Sequence, residues 1–126
     1  MAYYSVCQEP NPAYNVWIKF SWNDYLVDIV GEKNKRILKL DSIKKGAAVW
    51  KDAEVLVFNT WNEGLQSGIK KSWDVIQEGK TTHKNLDQLK VYEKALNTWA
   101  KWVNSTTLHT NKTNIFVQGP SPDHTK

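Results

Sequence analysis

The sequence predicts an α/β domain whose parallel strands end at a common edge. Two short apolar runs and one amphipathic stretch between them make the case. Val55-Leu56-Val57-Phe58 stops abruptly at the polar pair Asn59-Thr60. Four consecutive apolar residues with β-branched and aromatic members read as a strand covered on both faces. Ile115-Phe116-Val117 repeats that character near the other end of the chain. Between them, Leu86, Leu89, Tyr92, Leu96, Trp99 and Val103 recur at steps of three and four, which makes one apolar helical stripe. Strand, helix, strand in this order is a right-handed βαβ unit with parallel strands. Ligands of such sheets bind just beyond the carboxyl ends of the strands. Asn59 and Thr60 stand at that point, and Gln118, Ser121, Asp123 and His124 are expected to emerge beside them.

The 126 residues make one small domain or a piece of a larger one. Seven tryptophans and 40% hydrophobic residues are enough for a core. The net charge of +4 comes from scattered lysines interrupted by acidic or apolar residues, a pattern of solvated faces rather than a nucleic-acid surface. The single cysteine, Cys7, excludes an internal disulfide and a cysteine-based zinc site. His83 and His109 lack metal-ligand spacing, so no metal is expected. Met1 to Tyr4 does not open a secretory signal, and no run reaches the length of a spanning helix. Two glycosylation acceptor patterns stand close together, at Asn104-Ser105-Thr106 and Asn111-Lys112-Thr113.

In chain order, residues 1–13 carry Pro10 and Pro12 and read as an irregular lead-in. Val16, Ile18 and Phe20 alternate with Trp17, Lys19 and Ser21, which predicts a half-buried strand. Tyr25 to Val30, ended by Gly31, predicts a second, and Arg36 to Leu40 a third; together they suggest a small antiparallel unit at a sheet edge. Asp41 or Ser42 can cap a short helix over 43–50, which Gly46 weakens. The central strand follows. Trp61 to Thr82 reads as a long irregular segment, and segments of that length in compact domains are commonly functional. The main helix is predicted over 85–103, then a polar connection, then a strand over 114–119.

Each candidate group has a plain structural alternative. Ser42 as a nucleophile lacks the small neighbours a sharp elbow needs, and helix capping is the better reading. Ser121, Asp123 and His124 are too close in sequence for a self-contained triad, and Pro120 and Pro122 make a turn of them. Asn59 can donate its amide to an oxyanion or simply form a turn. Trp61 and Trp73 can stack on sugar rings or pack.

Several boxes in fixed order resemble one plant family. They are Leu26-Val27-Asp28-Ile29-Val30-Gly31-Glu32, Leu38-Lys39-Leu40-Asp41-Ser42-Ile43, Val55-Leu56-Val57-Phe58-Asn59-Thr60-Trp61, Ser72-Trp73-Asp74, Tyr92-Glu93-Lys94-Ala95-Leu96, Thr98-Trp99-Ala100-Lys101-Trp102-Val103 and Gln118-Gly119-Pro120-Ser121-Pro122-Asp123-His124. Together they resemble the trichome birefringence-like proteins over residues 14–126, with residues 1–13 outside the resemblance. The resemblance implies an SGNH-hydrolase-like, three-layer α/β/α fold with a mainly parallel sheet. It implies transfer of acetyl from a donor to hydroxyls of a plant cell-wall polysaccharide such as xylan, mannan, xyloglucan or pectin, through a serine acyl-enzyme and without a cofactor. It also implies a Golgi location, with a membrane anchor that would lie N-terminal to this stretch. On this resemblance Asn59 is the oxyanion-hole position, and Trp61, Trp73, Gln118, Ser121 and His124 border the substrate.

The family's serine lies in a Gly-Asp-Ser motif and its acid and histidine in an Asp-x-x-His motif; this sequence contains neither. Where relatives commonly carry a His-Trp-Trp cluster after the Asn-Thr pair, this chain reads Trp61-Asn62-Glu63-Gly64. The expectation is therefore a central fragment of an acyltransferase domain, itself inactive. The alternative is a non-catalytic glycan-binding or relic paralogue.

Overall fold

The computed structural model describes residues 4–23, 25–60, 71–106 and 113–119. In chain order the elements are β1 (Tyr4–Asn11), β2 (Val16–Trp22), β3 (Asp28–Glu32), β4 (Lys35–Lys39), α1 (Lys44–Trp50), β5 (Val55–Phe58), β6 (Val75–Glu78), β7 (Thr81–His83), α2 (Gln88–Thr106) and β8 (Asn114–Val117). They form three sheets: an antiparallel β1–β2 hairpin, a four-stranded sheet in the order β3-β4-β6-β7, and a parallel β5–β8 pair.

The mainly parallel sheet is corrected. In the four-stranded sheet only β4 and β6 run parallel, while β3–β4 and β6–β7 are antiparallel. The α/β class and the parallel βαβ pairing of β5 with β8 are as expected. The irregular lead-in is also corrected: most of it is β1, paired with β2 in a register that shifts between Gln8 and Asn11.

The segment expected to be irregular up to Thr82 holds the β6–β7 hairpin. Its turn places Gly79 at a φ of +58°, a conformation that glycine adopts without a Cβ penalty. Asp41 Oδ2 accepts the Gly79 N–H at 3.1 Å, tying this turn to the end of β4.

Two apolar clusters share α2. Tyr25, Val27, Leu38, Leu40, Trp73, Ile76, Val91 and Ala95 make the first; Leu26, Trp50 and Phe58 make the second, with Leu56, Leu96, Trp99, Trp102 and Ile115 packed against it. Leu86, Tyr92, Leu96 and Trp99 of the expected stripe on α2 pack against these clusters, and the apolar arc widens beyond it. Val91 and Ala95 are its buried residues, and Leu89 is 58% exposed. A single helix that serves two cores needs an apolar arc wider than one stripe. Polar ties hold it in place: Thr98 Oγ1 donates to the Leu40 carbonyl at 2.5 Å, and Lys94 Nζ pairs with Glu78 at 2.6 Å.

The cap of α1 is not Asp41 or Ser42. Ile43 occupies the N-cap position without a side-chain bond. The buried Asp28 carboxylate serves instead, accepting the Lys45 N–H at 3.0 Å and the Ser42 hydroxyl at 2.7 Å. Gly46 faces the indole of Trp50 one turn later, which gives this helix a packing reason for a residue of poor helix propensity.

Candidate functional site

The candidate site is the carboxyl edge of the β5–β8 pair. In-register pairing of Phe58 with Val117 brings both strands to an end together. The Gln118 N–H donates to the Phe58 carbonyl at 2.8 Å, so Gln118 leaves the sheet beside Asn59. Both side chains are exposed at this edge.

Thr60 turns inward. It is buried, and its hydroxyl shares a 2.8 Å hydrogen bond with the Tyr92 hydroxyl. Tyr92 lies edge-on to Tyr25 (6.0 Å between centroids), and Tyr25 in turn lies edge-on to Trp73 (4.9 Å). The backbone below Asn59 is thus anchored from the next residue into an aromatic row of the first cluster. Behind the edge, Phe58 packs on Trp50 and Trp99 at 5.0 and 5.2 Å. The exposed residue that faces outward is Asn59, whose amide is a hydrogen-bond donor suited to developing negative charge.

Trp73 sits inside the first apolar cluster. It is only 7% exposed, so the packing alternative holds for it. Asp74, next in sequence, instead fastens the segment before β6 to β4. Its carboxylate accepts Arg36 Nη2 at 3.0 Å and the Arg36 backbone N–H at 2.8 Å, while the Asp74 N–H donates to the Arg36 carbonyl. The Arg36 side-chain bond, then the backbone bond and charge, hold the Asp74 carboxyl at about 2, below its ordinary 3.8.

The Ser42 hydroxyl is paired with Asp28 and serves the start of α1, as a structural residue does. Trp61, Ser121, His124 and Asn111 lie outside the described residues. Asn104 is exposed near the C-terminal end of α2, twelve residues and so roughly 18 Å along the helix from Tyr92. Sequence reasoning missed Tyr92 as a site-supporting group. Its place in the apolar stripe hid its hydroxyl, and only the approach of α2 to the end of β5 reveals the partner.

The chain matches the model of the PC-esterase family, described as the GDSL/SGNH-like acyl-esterase family found in Pmr5 and Cas1p, over residues 6–126. It is 52% identical over 113 residues to protein trichome birefringence-like 43 of Arabidopsis thaliana, covering 90% of this chain and 30% of that protein. Trichome birefringence-like 41 of the same plant is 47% identical over 113 residues, covering 90% and 31%. Trichome birefringence-like 40 is 40% identical over 111 residues, covering 88% and 30%. The chain therefore spans about 30% of the length of these curated relatives.

Proposed function

From the premise that this chain belongs to the PC-esterase family of GDSL/SGNH-like acyl-esterases, among its trichome birefringence-like proteins, we propose that it is the central part of a polysaccharide O-acetyltransferase domain. The observation that carries the reading is the shared edge of β5 and β8. Asn59 stands there exposed, on a backbone locked by the Thr60–Tyr92 bond.

In the whole domain a serine oxygen attacks the acetyl carbonyl of the donor, and its proton passes to a histidine. The resulting oxyanion is where the Asn59 amide donates. Collapse expels the donor, which leaves with a proton. A polysaccharide hydroxyl then attacks the acyl-enzyme, losing its proton to the histidine and releasing the serine. The serine and histidine of this scheme belong to motifs that the 126-residue sequence does not contain. The chain's own share is the oxyanion donor, the scaffold under it and part of the substrate wall, with Gln118 at the edge and Trp61, Ser121 and His124 as proposed neighbours. The Golgi and the plant cell wall are the setting that this reading implies.

Purified chain assayed with acetylated xylan and with a chromogenic acetyl ester should show no turnover above buffer. Measurable acetyl-ester hydrolysis or transfer would refute the assignment of the nucleophile to a motif outside this sequence. Substituting the residue equivalent to Asn59 by alanine in trichome birefringence-like 43 should lower any kcat for acetyl transfer by about 10²–10³-fold with little change in KM. A change in KM alone would remove Asn59 from the oxyanion role. A second reading is glycan binding without turnover. Saturable binding of xylan or pectin oligosaccharides by the purified chain would support it.

A further inference from the structure

Lys90, Glu93, Asn97, Lys101 and Asn104 are exposed and recur along α2 at steps of three and four. Asn104 therefore continues a solvated stripe on the side of the helix opposite the buried Val91 and Ala95. The two residues before it are half-buried, and Trp102 lies edge-on to Trp50 at 5.4 Å. The last turn is thus seated through Trp102, while Asn104 and Ser105 stay in solvent. Asparagine is a poor helix former, and near a helix end it is favoured at the left-handed position past the last turn. Asn104 is not at that position, because α2 runs on to Thr106. Helix capping therefore does not account for it. What the position does complete is the acceptor pattern Asn104-Ser105-Thr106, whose middle residue is not proline.

We infer that Asn104 accepts an N-linked oligosaccharide when the chain passes through the lumen of the endoplasmic reticulum. For its occurrence in the cell the inference rests on the secretory setting of the proposed function. The co-reactant is an oligosaccharide carried on a lipid diphosphate, handed over by a membrane-bound transferase. Asn104 Nδ2 bonds to the anomeric carbon of the first sugar, and the bond from that carbon to the diphosphate oxygen breaks. The lipid diphosphate leaves with the electron pair, and the amide gives up one proton to a base of the transferase. Two features of the fold favour the reaction at this position. The transferase needs the three residues drawn out of a helix, and the pattern ends at the last residue of α2, in the turn that opens at least cost. The product also has room. α2 leaves the carboxyl edge of the β5–β8 pair at Tyr92, which is bonded to Thr60, and Asn104 lies roughly 18 Å further along the helix. A bulky, polar glycan there stands on the surface, far from Asn59 and Gln118, and leaves that edge clear. Asn111 lies outside the described residues, so the inference is confined to Asn104.

The test translates the full 126-residue chain behind a cleavable secretory signal in the presence of endoplasmic-reticulum microsomes, and reads only the signal-cleaved, protease-protected product. In an Asn111→Gln background that product should carry one oligosaccharide, removed by endoglycosidase H, and the peptide containing Asn104 should hold the residual sugar by mass spectrometry. Adding Asn104→Gln or Thr106→Val should abolish the modification, whereas Thr106→Ser should keep it. Transfer acts on the entering chain, so these readouts do not depend on a variant's folding. Endoglycosidase H should release the glycan from native material as completely as from denatured material, because the stripe it stands on is exposed. Unmodified Asn111→Gln product, or a modification that survives Asn104→Gln, would overturn the inference. Resistance to release in the native state alone would overturn the exposed placement of Asn104. The signal is supplied, so failure here leaves the acetyltransferase reading untouched, and absence of acetyl transfer or glycan binding leaves this inference untouched.

Discussion

Gly46→Ala should destabilise this protein even though alanine is the better helix former. An ideal Cβ at position 46 would lie 2.5, 2.8 and 2.9 Å from Cη2, Cζ3 and Cζ2 of Trp50. The indole has little room to give way. It is 7% exposed and lies edge-on to Phe58 at 5.0 Å and Trp102 at 5.4 Å. Alanine for glycine inside a helix contributes about 1 kcal/mol of stability. Overpacking a filled core costs about 1–3 kcal/mol, and a clash with three ring atoms of a confined indole belongs in the upper half of that range. The balance is a loss of about 1–2 kcal/mol, which lowers the midpoint by roughly 3–8 °C in a domain of this size. Thermal denaturation of the whole chain, followed by circular dichroism in the far ultraviolet, measures it, and the near-ultraviolet tryptophan signal reports the ring packing. In a Trp50→Leu background the obstacle is gone, and Gly46→Ala should there be neutral or stabilising by up to about 1 kcal/mol. A higher midpoint for Gly46→Ala with Trp50 in place would refute the argument.

Tyr92→Phe should cost about 1–2 kcal/mol, because it leaves the buried Thr60 hydroxyl without its partner; adding Thr60→Val should recover part of the loss in the same melts. Asp28→Ala should cost about 2–3 kcal/mol by removing both the Lys45 cap and the Ser42 partner, whereas Ser42→Ala should cost about 1 kcal/mol. Asp74 is held at about 2 when folded against its ordinary 3.8, so its contribution to stability is present above about pH 4 and is lost as pH falls towards 2. Asp74→Asn should therefore flatten the stability profile across that window, and an unchanged acid limb would count against the Arg36 pairing.

Much of the βαβ unit was legible in the sequence. Apolar runs at 55–58 and 115–117, with a helical period between them, specify two parallel strands and their crossover, and this predicted the edge where Asn59 and Gln118 meet. The β6–β7 hairpin was not legible. Gln77, Glu78, Thr81 and Thr82 are polar strand residues with no alternation to read, and pairing with β4 makes β6 a strand. β1 was hidden for a similar reason: Gln8, Glu9 and Pro10 resemble a loop, and it is pairing with β2 on either side of the register shift at Glu9 and Pro10 that makes the segment a strand. The capping residue was misplaced because Asp41 and Ser42 satisfy the local rule, while Asp28 reaches the same N–H group from across the fold.

The sequence by itself determined the α/β class, the strand ends that mark the candidate site, and the resemblance to the trichome birefringence-like proteins. Those properties follow from local periodicity and from ordered boxes of residues. Tertiary structure alone decided three further features. Trp73 packs inward, Tyr92 holds the residue after Asn59, and Asn104 stands on the exposed side of α2. Each of these depends on which surface meets which across tens of residues, and side-chain period along one segment carries no record of that.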